Sequence, residues 1–164
     1  MVFALILRDR QFRGSTSTGV PQNKAFGFCD VILNTTGVAN TAIGFSELLL
    51  NTSGSYNTAN GIEALSSNTT GNSNVANGYR ALFADTTGAL NSAYGSFALY
   101  RNTNGNHNTA CCYVALSENT TGSNNTANGY NAGRTVTTGS KNVFLGDSSN
   151  ASVNNLSNAT AIGS

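Results

Sequence analysis

Residues 57–73 read NTANGIEALSSNTTGNS, and residues 74–90 read NVANGYRALFADTTGAL. The two segments share Asn at position 1, Ala at position 3, Gly at position 5, Ala-Leu at positions 8 and 9, and Thr-Thr-Gly at positions 13 to 15. This pattern recurs with a constant step of 17 residues and no insertion or deletion. Its units begin at Asn23, Asn40, Asn57, Asn74, Asn91, Asn108, Asn125 and Asn142, with a truncated unit at Ala159. Because surface loops tolerate changes of length, a constant step indicates that the fold fixes the path of every unit.

A unit of this length has no room for a helical repeat, since helix-turn-helix units need about 33 residues or more. Asn-Thr-Ala-x-Gly at the start of the unit alternates in the manner of a short strand, and Asn-Thr-Thr-Gly at positions 12 to 15 is typical of a turn. The sequence therefore predicts an all-β fold, a parallel β-solenoid (β-roll) with one coil per unit and coils about 4.8 Å apart. Residues 23–164 form this solenoid, and residues 1–22 form a separate N-terminal strand and linker.

Four positions of the unit define the predicted coil. Gly at positions 5 and 15 fits two bends where positive φ or close backbone approach excludes a side chain. Ala at position 3 fits a narrow interior, and Leu at position 9 supplies its main apolar contact. The structural residues predicted in this way are Ala42, Gly44, Leu48, Gly54, Ala59, Gly61, Leu65, Gly71, Ala76, Gly78, Leu82 and Gly88. The leading Asn and the turn Thr of each unit are expected to stack on their images as amide and hydroxyl ladders.

Apolar side chains also recur at positions 6 and 10 and predict two stripes along the rod. A coil that buries one Ala and one Leu gains little against the entropy of ordering its chain, and long apolar stripes are a liability on a monomer. We therefore expect partner chains to cover the stripes, most simply in a parallel homotrimer; the alternative is a monomeric rod with partly exposed aromatic rings. The candidate subunit contacts are Phe45, Tyr79, Phe83, Tyr100, Tyr113 and Tyr130, together with Val2, Phe3, Leu5 and Leu7.

The last four of these contacts belong to the N-terminal strand, residues 2–7, which read VFALIL. The strand is expected to cap the first coil, or to add to a neighbouring subunit and join rods head to tail. It lacks the basic start and the small-residue cleavage site of a signal peptide. No apolar run approaches the roughly 18–20 residues that cross a bilayer, so no membrane insertion is expected.

At the level of Asn-Thr-Ala-x-Gly, Ala-Leu and Asn-Thr-Thr-Gly, the chain resembles the head repeats of trimeric autotransporter adhesins. It is more similar still to the related Asn-Thr-rich repeats of bacterial surface proteins and phage tail fibres. The clearest matches are residues 57–64, 74–82 and 125–132. The resemblance implies a left-handed, trimeric β-roll presented at the cell surface, outside the cell or on a virion fibre. The adhesin heads have a shorter repeat than this chain.

Composition gives little support for catalysis. The chain carries 8 basic and 7 acidic residues, a formal charge of +1, which provides no electrostatic attraction for nucleic acid. The acidic residues are scattered, without the paired carboxylates of a polysaccharide-cleaving solenoid. His107 is the only histidine. We therefore expect no enzymatic activity, no metal and no cofactor.

Two further motifs have competing interpretations. Cys111-Cys112 replaces the usual x-Gly pair of the unit. A small apolar substitution is favoured, with a vicinal disulfide or a contact between chains as alternatives. Asn34, Asn51, Asn68 and Asn119 each begin an Asn-x-Ser/Thr sequon. Glycans on them would form a row along one edge of the rod.

The function expected from these patterns is a structural extracellular fibre or filament subunit, a rod that associates with itself as a trimer or head to tail. The alternative is an adhesin or phage receptor-binding fibre that contacts surface glycan or matrix, with Tyr94, Tyr100, Arg101 and His107 as its candidate patch. Ice binding through threonine ladders is a minor alternative. In each turn the two threonines are adjacent and point to opposite sides, and the second ladder is interrupted by Ser53, Asn104 and Asn155.

Overall fold

Nine short strands, one from each unit, form one parallel sheet in the computed structural model, which describes residues 23–28 and 33–163. Within these ranges no helix is present, and sheet order follows chain order. The strands are β1 (Lys24–Phe28), β2 (Thr41–Phe45), β3 (Thr58–Asn60), β4 (Val75–Asn77), β5 (Ser92–Tyr94), β6 (Thr109–Cys111), β7 (Thr126–Asn128), β8 (Val143–Leu145) and β9 (Thr160–Ile162). The predicted parallel β-solenoid of 17-residue coils is confirmed. Val2, Phe3, Leu5 and Leu7 lie outside the described residues.

Strand register follows the sequence period. Ala42 pairs with Ala59, and Ala59 pairs with Ala76, so each residue lies beside the one 17 positions later. The middle residue of each three-residue strand points inward because side chains alternate across a strand. A column of alanines therefore lines the interior, and the narrow interior predicted from position 3 is present.

The core has three apolar columns. Ala at position 3 and Leu at position 9 are fully buried, as in Ala59 and Leu65. A third column comes from position 8, where Ala64, Ala81 and Ala98 are also fully buried. The interior is thus better filled than one Ala and one Leu per coil would allow.

Asparagine at position 1 forms a fully buried ladder. The Asn91 backbone N–H donates to Oδ1 of Asn74 (2.9 Å), and the Asn91 Nδ2 donates to the Gly105 carbonyl of its own coil (2.8 Å). The same bonds recur at Asn40, Asn57, Asn108 and Asn125. Each amide thus binds two main-chain groups that strand pairing leaves over, which explains why Asn recurs at this position.

A second buried ladder runs through position 12. The Asn68 Nδ2 donates to Oδ1 of Asn51 (2.7 Å) and to the Gly71 carbonyl (3.1 Å). The threonines of position 13 stack as expected, but their hydroxyls bind main chain: Thr69 Oγ1 donates to the Thr86 carbonyl (2.9 Å). Amide–amide bonding along the axis therefore recurs at position 12, and position 1 has it where Asn142 Nδ2 donates to Oδ1 of Asn125 (3.0 Å). The other position 1 side chains and those of position 13 link one coil to the next through the backbone.

The two glycine positions act by different means. At position 5 the glycines from Gly44 to Gly146 have positive φ, as at Gly61 (129°) and Gly78 (137°). At position 15 they do not, but a Cβ on Gly71 would overlap the Gly88 carbonyl oxygen and Oδ1 of Asn68. The left-handed conformation also recurs at positions 7, 9 and 17, which carry ordinary side chains, for example Leu65 (51°) at position 9. Such residues are uncommon and persist only where surrounding packing fixes them.

Candidate functional surfaces

The turn between positions 6 and 10 carries an aromatic ridge, which we define as Tyr79, Phe83, Phe97, Tyr100, Tyr113 and Tyr130. Its rings touch across four successive coils. Phe83 and Tyr100 stack with centroids 5.4 Å apart, and Tyr113 and Tyr130 stack at 5.7 Å. Rings at this separation attract one another beyond their burial of area. The two stripes expected from positions 6 and 10 are therefore one surface.

Phe97 joins the two stripes, and sequence reasoning missed it. Its ring meets those of Tyr79 (5.2 Å), Tyr100 (5.4 Å) and Tyr113 (6.2 Å) edge to face. Phe97 is at position 7, where φ is 59°. Because alternation of side chains holds only in extended strands, period-two counting gives no direction for this ring. The available signal was its place between the two stripes in a coil that has Ser96 at position 6.

The outer part of the ridge is open to solvent. Tyr113 and Tyr130 are 48% and 55% exposed, whereas Phe83, Phe97 and Tyr100 are half-buried against their neighbours. The position 10 rings thus find cover within their own chain, and the surface left for a partner is smaller than the sequence suggested. Phe45, another predicted contact, is exposed at position 6 three coils from Phe97.

A charged pair borders the ridge. The Arg80 guanidinium lies 5.1 Å from the Tyr79 ring centroid and 5.3 Å from that of Phe83, and its Nε bonds Oε2 of Glu63 in the preceding coil. Cation–π attraction holds the guanidinium over these rings. The ridge therefore combines exposed ring edges, phenol hydroxyls and a fixed charged group.

The other members of the predicted contact patch are more dispersed. Tyr100 belongs to the aromatic ridge. Arg101 follows it at position 11 and pairs with Glu118 (3.1 Å), which is at position 11 of the next coil. Tyr94 is at position 4 on the strand face, and His107 is at position 17. The four residues therefore occupy three parts of the coil.

The sequon asparagines occupy the buried ladder of position 12. Asn51, Asn68 and Asn119 are fully buried, and each Nδ2 is engaged by two acceptors within the ladder. Asn34 is half-buried, and its Nδ2 donates to Gly37. A glycan is attached through this nitrogen, so glycosylation is incompatible with the folded coil at the three buried sites. The structure therefore disfavours the expected row of glycans along the rod, because three of its four sites are buried.

Of the two rows of stacked turn threonines, the row at position 14 faces solvent. Position 14 is exposed in every described coil, but Ser53, Asn104 and Asn155 interrupt its threonines. The threonines of position 13, which are continuous from Thr35 to Thr137, donate their hydroxyls to carbonyls of the next coil. The exposed row, at position 14, is therefore the one with interruptions in its threonines. This disfavours ice binding, which needs a regular array of exposed hydroxyls.

Among residues 23–28 and 33–163, two acidic side chains are buried. Glu47 accepts a hydrogen bond from the Phe45 N–H (2.7 Å) at Oε1. Asp85 replaces Asn in the position 12 ladder and accepts from Nδ2 of Asn102 (2.7 Å). A carboxylate has no donor, so Oδ1 of Asn68 below it lacks the bond that an Asn would supply. Burial raises the pKa of Asp85 to about 7, although hydrogen bonds from Asn102 and the Gly88 backbone oppose the shift.

Comparison of the chain with protein-family models, curated proteins and solved structures gives no match. The similarity to adhesin heads and tail fibres therefore remains a prediction from the repeat motif. Among the residues that the structure describes, no helix is long and apolar enough to cross a membrane.

Proposed function

We propose that this chain is a structural segment of an extracellular fibre or filament, in which it acts as a rigid shaft. The observation that carries the proposal is the uninterrupted bonding between coils. Strand pairs join all nine described strands in order, and the position 1 ladder repeats the same two bonds in successive coils. Each coil contacts only the coils before and after it, as in other solenoids. Adding coils therefore lengthens the rod without widening it, as a shaft requires.

The expected dimensions follow from strand spacing. Eight steps at about 4.8 Å give a rod on the order of 40 Å long. Its stiffness comes from main-chain bonds parallel to the axis and from buried amides between them. The shaft role uses all coils equally, which agrees with a repeat whose buried positions vary little.

Association with further copies is the second part of the proposal. Tyr113 and Tyr130 offer exposed apolar area beside Phe97, and the period repeats their position along the rod. A parallel homotrimer would bring equivalent ridges together around a threefold axis, because closed symmetry lets identical surfaces satisfy one another. A left-handed coil belongs to the same proposal through the resemblance to adhesin heads.

Negative-stain microscopy and sedimentation equilibrium of the purified chain test both parts. We expect rods or filaments in the images and a trimer mass in solution. Double substitution Tyr113→Ser/Tyr130→Ser should shift the protein toward monomer while the far-ultraviolet spectrum stays unchanged. Tyr56→Ser is the control, since Tyr56 is at least as exposed (59%) but lies at position 17 away from the ridge. Globular particles would refute the shaft, and a monomer that no concentration converts would refute the trimer.

A receptor-binding role has one specific observation in its favour, the aromatic ridge with Arg80 fixed beside it. Aromatic faces and edges with neighbouring hydrogen-bonding groups suit a saccharide, which offers both C–H surface and hydroxyls. A glycan array probed with the purified chain tests this alternative. Specific binding that Tyr113→Ser/Tyr130→Ser abolishes and Tyr56→Ser retains would favour an adhesin over a simple shaft. No bound glycan would leave the shaft as the sole proposal.

A further inference from the structure

Two adjacent thiols lie at the end of β6. Cys111 is at position 4 and Cys112 at position 5, and their sulfur atoms are 4.0 Å apart, with the Cys112 thiol donating to Cys111. Both side chains are free and partly exposed. Burial and the neighbouring Cys112 thiol raise the pKa of the Cys111 thiol, so this sulfur is mostly protonated at neutral pH.

Cys112 occupies a backbone conformation that the repeat otherwise gives to glycine. Its φ is 95°, and the glycines at the same position, from Gly44 to Gly146, have φ values from 102° to 143°. A side chain is disfavoured there on steric grounds as well, because a Cβ on Gly95 would lie 2.7 Å from the Cys112 carbonyl carbon of the next coil. An ordinary residue held in such a conformation is strained, and strain of this kind often accompanies function.

We propose that Cys111 and Cys112 are a reversible redox site that forms a vicinal disulfide by exchange with a low-molecular-weight disulfide. One cysteine thiolate attacks a sulfur of the small disulfide, which forms a mixed disulfide and releases one small thiolate. The second cysteine thiolate then attacks the protein sulfur of that mixed disulfide and releases the second small thiol. The protein pair loses two electrons and two protons, and the small disulfide is reduced to two thiols.

Oxidation of the two cysteines should affect the hydrogen bonds between this coil and the coils on either side. The peptide unit between the two residues donates its N–H to the Tyr94 carbonyl (2.7 Å) and accepts from the Gly129 N–H (3.1 Å). A disulfide would close a small ring that contains this peptide unit. Because adjacent cysteines lie outside the usual geometry of disulfides, the bond would be strained and easily reduced. Oxidation should therefore loosen the contacts of this coil with both neighbours.

A metal is a weaker use of the same thiols. In the part of the chain that the structure describes, no group of three or more His, Cys, Asp or Glu side chains is placed to hold an ion. Structural zinc sites need four ligands, so this pair alone offers half a site. Two sulfurs in contact are sufficient for disulfide exchange.

Intact-mass analysis after incubation with oxidised glutathione tests the proposal. All variants carry Cys29→Ser, so that the two adjacent thiols are the only ones. The protein with both cysteines should lose two free thiols, lose the mass of two hydrogens and retain no glutathione. Cys112→Gly restores the residue of the repeat and removes the second thiol, so it should retain one glutathione as a stable mixed disulfide. Cys111→Ser should do the same.

Amide hydrogen exchange provides the structural readout. Oxidation should raise exchange at Cys112 and Gly129, and the change should reverse with dithiothreitol and be absent from Cys112→Gly. Three results would overturn the proposal: persistent glutathione on the protein that has both cysteines, covalent dimers as the main product, or two thiols that remain free under conditions that modify Cys112→Gly.

Discussion

The coils that begin at Asn57, Asn74 and Asn91 differ from the C-terminal coils in how they fill the same interior. In the former, Ala at position 3 faces Leu at position 9, and both are fully buried. In the latter, Gly133 stands at position 9 and Phe144 at position 3 of the next coil, and Phe144 is also fully buried. A Cβ on Gly133 would lie 2.7 Å from Cδ2 of Phe144, so the ring occupies the space that a leucine would take.

The comparison indicates that the solenoid conserves interior volume and tolerates a change in the residues that supply it. Cores accept volume-conserving exchanges far better than unbalanced ones. Here volume is lost at position 9 of one coil, at Gly133, and gained at position 3 of the next, at Phe144. The two can compensate because stacked coils share one continuous interior. A residue that departs from the repeat therefore has to be read together with its partner in the adjacent coil.

The largest expected effect comes from removing the ring. Phe144→Ala should lower the free energy of unfolding by about 3–5 kcal/mol, since Gly133 supplies nothing to fill the cavity. Gly133→Leu alone should also destabilise, because the added side chain meets the ring. The double variant Gly133→Leu/Phe144→Ala recreates the regular coil and should recover most of the loss. Urea unfolding of the four proteins measures this coupling as a double-mutant cycle.

The backbone supports the double variant, because Gly133 has φ 65° and Leu99 and Leu116 have φ 52° and 50° at the same position. Leucine is therefore already accepted in this conformation elsewhere in the rod. Additive losses in the double variant would mean that the two sites are independent, and the volume exchange would be refuted.

The coil length, the parallel fold and the inward Ala and Leu could be predicted from the sequence because they depend on register alone. The role of position 12 could not. Asn followed by Thr-Thr-Gly is a turn signal and a sequon, and neither tells which way the amide points. Asn68 faces inward because its Nδ2 donates to Oδ1 of Asn51 and to the Gly71 carbonyl, and these acceptors are in place only when the coils are stacked.

The same limit applies to the aromatic ridge. Phe97 and Leu99 both have positive φ, yet the first points to the surface and the second is fully buried. Alternating conformations within one turn reverse side-chain direction in a way that neither the period of a helix nor that of a strand describes. Only strand positions could be assigned to a face from the sequence.

The regular coils contain a different departure from the repeat, a buried carboxyl group in the position 12 ladder. Asp85 interrupts position 12 among the regular coils with an ionisable group. Its pKa is raised from 3.8 to about 7, so the folded state binds its proton more tightly than the unfolded chain. Stability from this group is fully present below about pH 4 and is lost as pH rises to about 7. Thermal unfolding between pH 4 and 8 should show this decline.

Asp85→Asn should remove that decline and restore the donor to Oδ1 of Asn68. At neutral pH we expect a gain of about 2–4 kcal/mol in the free energy of unfolding, because a buried carboxylate is costly and an Asn completes the ladder. Near pH 4 the two proteins should differ little, since protonated Asp85 also has a donor. Equal slopes of stability against pH in both proteins would show that other groups cause the decline.

An apolar interruption of the same ladder should matter less. Val136 replaces Asn in the coil that begins at Asn125, and it leaves Oδ1 of Asn119 without a hydrogen bond. Val136→Asn would supply that bond but remove a buried valine, so the two effects oppose each other. We expect a change within about 1 kcal/mol, measured by urea unfolding at neutral pH. A gain as large as that of Asp85→Asn would mean that hydrogen bonding, and not charge, dominates both interruptions.

The smallest effect concerns the exposed left-handed positions, which both kinds of coil share. Leu90 is at position 17 with φ 60°, where Asn124 has the same φ in a later coil. Asn tolerates this conformation better than leucine does, so Leu90→Asn should stabilise by about 0.5 kcal/mol. Leu50→Asn is the matched control, because Leu50 is also exposed but lies outside the left-handed region. Equal gains from both substitutions would mean that replacing an exposed leucine with a polar residue is sufficient, whereas a gain at Leu90 alone would locate the effect in the backbone conformation that every coil repeats.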